Sequence, residues 1–325
     1  MGIQIEDIKK KTISVAMATY NGEKFLRQQL ESIYNQTLVP DEVVVSDDGS
    51  TDGTLKILEE YHKTNGLKYS INDGKHGCNH NFYRAISLCT SDVIAISDQD
   101  DIWLPNKIEV SFKKLCEIEN GKPACVSSLC NHIDKDDNII SSTPDECDTK
   151  GYVATLMTNG NNQNRSQGCS LMFNKTLAEI IIEKNKMFPE IAETMFYDGF
   201  ISFTAAIIGV KYNLGQKLML YRHHSSNVLA KEGVKISLGS RIKQNNYFLF
   251  IPQRRIDTLP KMLEWYSKEE IINEAFELCS KISKISKVST ARGLFTIFQI
   301  KELNVFRKII ITIGSLVMYL IKKII

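Results

Sequence analysis

The segment Ser97-Asp98-Gln99-Asp100-Asp101-Ile102-Trp103 sets three carboxylates within four residues, directly after the apolar run Val93-Ile94-Ala95-Ile96. Such a run predicts a buried strand, with the acids at its C-terminal end. In open α/β sheets ligands bind at that end. Three acids packed there repel one another unless a cation sits among them. A hard divalent ion with oxygen ligands, Mg or Mn, is the natural partner. It would in turn hold a phosphorylated substrate. The bland alternative is a solvated acidic turn, so the rest of the chain has to decide.

The alternation of elements supports the first reading. Residues 12–18 (TISVAMA) predict a buried strand, and 23–34 carry apolar residues at Phe25, Leu26, Leu30, Ile33 and Tyr34, a helical period. A second strand over 42–45 ends in Ser46-Asp47-Asp48-Gly49-Ser50, and Thr51 or Asp52 can cap a helix over 55–61. A weaker strand over 67–71, a helix over 79–88 and the strand over 92–97 follow. Short apolar strands alternating with helices predict a parallel, nucleotide-binding sheet. Further on, the pattern predicts strands over 123–129 and 168–173 and a hairpin-like turn over 134–138. Helices over 174–183 and 196–208 and two short late strands, 210–214 and 217–222, complete it. A second acidic cluster, Asp47-Asp48, thus lies at a strand end beside the first. The same Asp-Asp-Gly-Ser-Thr-Asp run also reads as a turn and helix start.

Charge divides the chain. Net charge is +2, but residues 231–325 hold 17 Lys and Arg against 8 Asp and Glu, leaving the first 230 residues acidic. A basic, aliphatic tail points to an anionic surface partner. The basic residues are interleaved with aliphatic ones, and no nucleic-acid module is present, so a membrane is expected and nucleic acid is not. The run 309–321 (IIITIGSLVMYLI) is uncharged, with Arg307-Lys308 before it and Lys322-Lys323 after. A spanning helix needs about 20 apolar residues. The run fits an in-plane interfacial anchor, with a buried core helix as the alternative. None of the eight cysteines forms a CxxC pair, which argues against structural zinc. Residues 3–11 are mixed and charged rather than a signal peptide, so reduced thiols in a cytosolic compartment are expected.

Val15-Ala16-Met17-Ala18-Thr19-Tyr20-Asn21-Gly22, then Val45-Ser46-Asp47-Asp48-Gly49-Ser50-Thr51-Asp52, then Asp98-Gln99-Asp100-Asp101 resemble the three signature stretches of family 2 glycosyltransferases. The resemblance runs in order over roughly residues 12–230. Three later places are similar to the bacterial rhamnosyltransferase-like branch. They are Asp98 to Pro105 (DQDDIWLP), Gln167 to Asn174 (QGCSLMFN) and Tyr221 to Asn227 (YRHHSSN). The resemblance implies a GT-A fold over 1–230, a nucleotide-binding sheet flanked by helices, followed by a helical region over 231–325. It implies a UDP- or dTDP-sugar donor and a divalent metal, Mg or Mn.

Residue by residue, it implies that Ala18, Thr19 and Tyr20 border the nucleotide. Asp48, with Asp47, would accept from the ring N–H of uracil or thymine. Asp98 would meet the ribose, Asp100 would ligate the metal, and Asp101 would orient the site. Inverting transfer also needs a general base. Family members place an acid at a helix start, commonly after Glu or His. Here the pair is Tyr197-Asp198, which departs at the first position and leaves Asp198 as the base, with Glu190 and Glu193 as rivals. Among Arg222, His223 and His224, an imidazole can ligate a metal and a cation can brace a diphosphate. His224 is the metal candidate and Arg222 a support. Trp103 would stack on a sugar or pack.

The expected protein is therefore a metal-dependent inverting glycosyltransferase, moving rhamnose or a hexose to a glycan hydroxyl. The acceptor would be lipid-linked, at the inner face of the plasma membrane, in surface polysaccharide or O-antigen assembly. The rival reading is a non-catalytic sugar-nucleotide or glycan-binding module on the same fold. A nucleotidyltransferase would need a Gly-rich loop with Lys or Arg near the first strand, which Ala18-Thr19-Tyr20-Asn21-Gly22 lacks.

Overall fold

Four apolar runs become the parallel half of one sheet. β1 (Ile13–Thr19), β2 (Glu42–Asp47), β3 (Lys68–Ile71) and β4 (Val93–Ser97) pair in parallel in the order β3-β2-β1-β4. β1, β2 and β4 are covered on both faces, which is why their sequences are near-continuous Val, Ile and Ala rather than alternating. The connections are helical: α1 (Leu26–Tyr34), α2 (Thr54–Asn65) and α3 (Cys78–Leu88). α1 buries Leu26, Leu30 and Ile33, one stripe at helical spacing. α2 ends at Gly66, whose φ of +70° is the left-handed conformation that suits glycine.

The computed structural model describes residues 11–142, 149–150, 167–191 and 196–224. All of them belong to one unit, residues 1–151 with 166–233; a second takes in 152–165 and 234–325. The basic tail over 231–325 and its apolar run 309–321 lie outside the described residues. Among the described residues no helix is long and apolar enough to cross a membrane.

The second half of the sheet is mixed. β5 (Ile102–Trp103), α4 (Lys107–Glu119), β6 (Ala124–Ile133), β7 (Ile139–Ser142) and β8 (Thr149–Lys150) come first. β9 (Met172–Asn174), α5 (Lys175–Met187), α6 (Tyr197–Ile208) and β10 (Val210–Arg222) follow. The path continues β4-β9-β6-β10-β5, with β7 on β6 and β8 on β10. β9 runs antiparallel to both β4 and β6. Asn174 knits this junction: its Oδ1 accepts from Leu177 N at 3.2 Å and Ala124 N at 3.0 Å.

Two expectations are corrected. The strand expected over 168–173 is a 3₁₀ turn, Gly168–Ser170, ahead of the short β9. The two late strands are one, β10, which pairs along β6 with register shifts between Asn213 and Lys217 and between Lys217 and Met219. Bulges, not a turn, absorb Gly215.

Candidate functional site

The three motifs meet because their strands are neighbours in register. Thr19 pairs with Asp47, and Met17 pairs with Ser97. Tyr20, Asp48 and Asp98 therefore leave the sheet at one edge. Ala18 is half-buried there and Tyr20 is exposed. The side chains of Thr19 and Asp47, expected at the nucleotide, are spent inside the protein instead. Asp47 is wholly buried. Its carboxylate accepts from Thr19 Oγ1 at 2.7 Å, Ser50 N at 2.8 Å, Ser50 Oγ at 2.6 Å and Gly49 N at 3.1 Å. It builds the turn that aims its neighbour. Asp48 is held by Asn72 Nδ2 at 2.8 Å, Gly77 N at 2.8 Å and His76 Nδ1 at 3.0 Å.

The loops after β1 and β2 brace each other. Asn21, at φ +48°, donates its N–H to Ser50 Oγ at 2.8 Å and accepts from Thr51 N at 2.8 Å. Asp52 Oδ2 accepts from Glu23 N at 3.1 Å. The acid loop joins through Gln99. Its Oε1 accepts from Tyr20 N at 2.9 Å, and its Nε2 donates to Tyr20 O at 3.1 Å. Glycine at position 22 leaves room for Gln99, since an added Cβ would lie 2.3 Å from Gln99 Oε1 and displace that side chain.

The acid loop is pinned from the far side by β10. β5 pairs with Met219 and Leu220, which delivers Arg222 and His224 to the acids. Arg222 N donates to Asp101 Oδ1 at 3.0 Å, and Arg222 Nε donates to Asp100 O at 2.8 Å. His224 Nε2 lies 2.7 Å from Asp100 Oδ2, and its ring packs on Phe25 with centroids 4.9 Å apart. Because β9 is antiparallel to β4, the turn before it returns to the acids, and Leu171 O accepts from Ile96 N at 2.9 Å. This places Cys169 with Asp98 and Asp101, one ligand atom from each lying within 4.8 Å of the others. Trp103 and Arg222 are 2% and 1% exposed. Trp103 is thus a packing residue, not a sugar platform; the Lys107 ammonium sits 3.8 Å over its ring. Arg222 braces the loop from behind.

The electrostatics mark the loop as strained by like charge. Burial first, and the Asp100 charge second, lift the Asp98 carboxyl to about 7. The same two causes hold Asp101 well above the usual carboxylate range. Asp101 Oδ2 is buried without a hydrogen bond. Carboxylate oxygens with one imidazole nitrogen suit a hard divalent cation, and an orphaned acceptor is what such an ion would satisfy. The residues present fit a hard divalent cation.

Asp198 stands in the first turn of α6. Asn79 Oδ1 fixes that helix start by accepting from Tyr197 N at 2.9 Å. The buried Tyr197 ring stacks on Phe82 at 3.9 Å. The unusual Tyr therefore anchors the helix, and Gly168 makes room for it: a Cβ there would meet Tyr197 Oη at 2.1 Å. Burial first, then the charges of Asp98, Asp198, Asp48 and Asp100 in turn, raise the Cys78 thiol. Glu193 lies outside the described residues. Gln99, Cys78, Asn79, Cys169 and Gly168 escape sequence reasoning as site residues. Positions inside the quoted motifs could have flagged Gln99, Gly168 and Cys169; Cys78 and Asn79 lie outside every quoted motif, at the start of α3. Among the described residues, Cys78, Cys89, Cys116, Cys125, Cys130 and Cys169 are in no disulfide.

Residues 14–181 match the family described as Glycosyl transferase family 2. The chain is 32% identical over 243 residues to the dTDP-rhamnosyl transferase RfbG of Shigella flexneri, covering 70% of this chain and 77% of that one. Over 104 residues it is 31% identical to the Escherichia coli UDP-Glc:alpha-D-GlcNAc-diphosphoundecaprenol beta-1,3-glucosyltransferase WfgD, covering 32% of this chain and 40% of that one. Its fold is similar to that of the S. aureus TarS fragment crystallised with UDP, at a TM-score of 0.53 and 14% identity, covering 94% of this chain and 89% of that one. A match across half the sequence, and a relative aligned over most of both chains, agree with the sheet and its edge: the chain belongs to glycosyltransferase family 2 and is a glycosyltransferase.

Proposed function

We propose that the chain is a metal-dependent, inverting glycosyltransferase that uses a UDP- or dTDP-sugar, with rhamnose or a hexose as the sugar moved. The observation that carries this is the convergence of Asp98, Asp100, Asp101 and His224 at one strand end, with Asp198 close enough to act on the charge of Asp98. Asp100 and His224 hold the cation in this reading, with Asp101 and Arg222 fixing their loop. When bound, the cation neutralises the charge of the departing diphosphate. Asp48, with Tyr20 beside it, receives the base, since a carboxylate engaged by three donors keeps acceptor capacity for a ring N–H. Asp198 takes the proton of the acceptor hydroxyl. That oxygen bonds to the anomeric carbon from the face opposite the phosphate, and the carbon–oxygen bond to the diphosphate breaks. The names of the two bacterial relatives support the donor classes. The second supports a lipid-linked glycan acceptor, consistent with surface polysaccharide or O-antigen assembly. Screening purified protein against UDP-, dTDP- and GDP-sugars for nucleotide release, with and without chelator, tests the reading. Release from GDP-sugars alone, or full activity in chelator, refutes it.

Two consequences are measurable. Gly22→Ala is expected to push Gln99 off Tyr20 while leaving the fold intact, because the clashing atoms end a movable side chain. UDP affinity should fall, at a nearly unchanged melting temperature. Unchanged affinity would show the clamp to be idle.

The second concerns the tail. Arg307, Lys308, Lys322 and Lys323 flank the run 309–321, and each basic residue near an anionic surface contributes about 1 kcal/mol. Deleting 304–325 should release the protein from anionic liposomes and spare transfer to a short soluble acceptor. High salt should partly weaken binding of the full chain. A truncated protein that aggregates would make the run core and end the membrane-surface assignment.

A further inference from the structure

Arg222 carries a fixed charge at 1% exposure, directly behind the acid loop. A buried guanidinium needs an anion and partners for its donors. Its ring-side support is Phe25, 4.5 Å away, the residue that also carries His224. Its NH2 donates to Gln28 Oε1 at 2.8 Å, across 194 residues of sequence. Its NH1 forms an ion pair with Asp137, in the turn between β6 and β7. Gln28 closes the triangle by donating Nε2 to Asp137 Oδ2 at 2.9 Å.

Asp137 is not needed to make that turn. Asp134 does so, its Oδ1 accepting from Asp136 N at 2.8 Å and Asn138 N at 3.0 Å. Asp137 sits at φ +69°, a conformation that Asn and Asp tolerate, and its carboxylate points to Arg222. Hydrogen bonding from Gln28 first, with the guanidinium adding to it, keeps that carboxyl below its ordinary value.

We propose that Asp137 and Gln28 are positioning residues of the cation site. They hold the Arg222 charge on the hairpin side, so that it does not turn to the carboxylates of Asp100 and Asp101. Arg222 already touches both residues: its Nε donates to the Asp100 carbonyl oxygen and its backbone N–H to Asp101 Oδ1. Freed of Asp137, the guanidinium, already anchored by Nε beside Asp100, would compete with the cation for the Asp100 carboxylate. The inference rests on the metal-dependent reading above.

The test is Mn²⁺ binding to the full chain, read from the electron-paramagnetic-resonance signal of free Mn²⁺, beside melting curves. Asp137→Asn keeps the turn and removes the charge. It should weaken Mn²⁺ binding by about tenfold, the scale for a residue that orients a metal ligand. Asp136→Asn makes the same change in the same turn, away from Arg222, and should bind as wild type. Gln28→Ala suits its helix and should weaken binding in the same direction, so a misfolded Asp137→Asn protein leaves the idea open to refutation. Wild-type Mn²⁺ affinity in both Asp137→Asn and Gln28→Ala overturns this inference alone. A wild-type protein that binds no Mn²⁺ overturns the metal reading, and this inference with it.

Discussion

Asp100→Asn is expected to lower transfer by roughly 10²- to 10³-fold, the scale of losing one preorganised stabiliser of developing charge. Asp100 is the acid that meets His224, at 2.7 Å, and its carbonyl is fixed by Arg222. Asparagine keeps the shape and the carbonyl contact but not the charge. The apo protein should respond in the opposite direction. Burial first, and Asp100 second, lift the Asp98 carboxyl to about 7. A carboxyl raised on folding adds stability that is fully present below its unfolded value, about 4. That stability is lost as pH rises through 7. Removing Asp100 takes away one cause of the shift, so in chelator the variant should melt above wild type at pH 8 and lose less between pH 5 and 8. Activity with added Mn²⁺ and melting curves at the two pH values decide the matter. Near-normal transfer would end the assignment of Asp100 to the cation.

The legible part of the molecule is the part written in local pattern. The runs that became β1, β2 and β4 could hardly be anything but buried strands, and strands in parallel order put their following acids on one edge. Asp100 and His224, drawn from separate motifs, lie 2.7 Å apart. What stayed hidden was decided by contacts between distant residues or by which way one side chain turns. Asp47 and Asp48 are adjacent and chemically identical; only the pairing of Asp47 with Thr19 turns the first inward. Trp103 beside acids looks like a sugar platform until the antiparallel pairing with Met219 buries it. Gly215 inside a polar stretch signals a turn, yet a bulge in a long strand uses the same residue. No pattern in the sequence connects Gln28, Asp137 and Arg222, because their contacts span 85 to 194 residues.

Asp198→Asn is expected to cut turnover by roughly 10²-fold or more, the usual scale for removing a proton acceptor. The rival account makes Asp198 only a first-turn carboxylate that stabilises its helix. The surroundings separate the two. The helix start is already held by Asn79 and by the stacked Tyr197, so a further anchor adds little there. Asparagine retains an oxygen to accept from Gly199 N, the 2.7 Å contact of Asp198 Oδ1. A merely structural role therefore predicts near-wild-type turnover with a drop of a few degrees in melting temperature. A base predicts the reverse, a large loss of kcat at an unchanged melting temperature. UDP affinity by calorimetry should barely move, since the carboxylate serves the acceptor. If the variant instead loses nucleotide affinity, Asp198 belongs to the donor side, and the general base must be sought elsewhere, with Glu190 next in line.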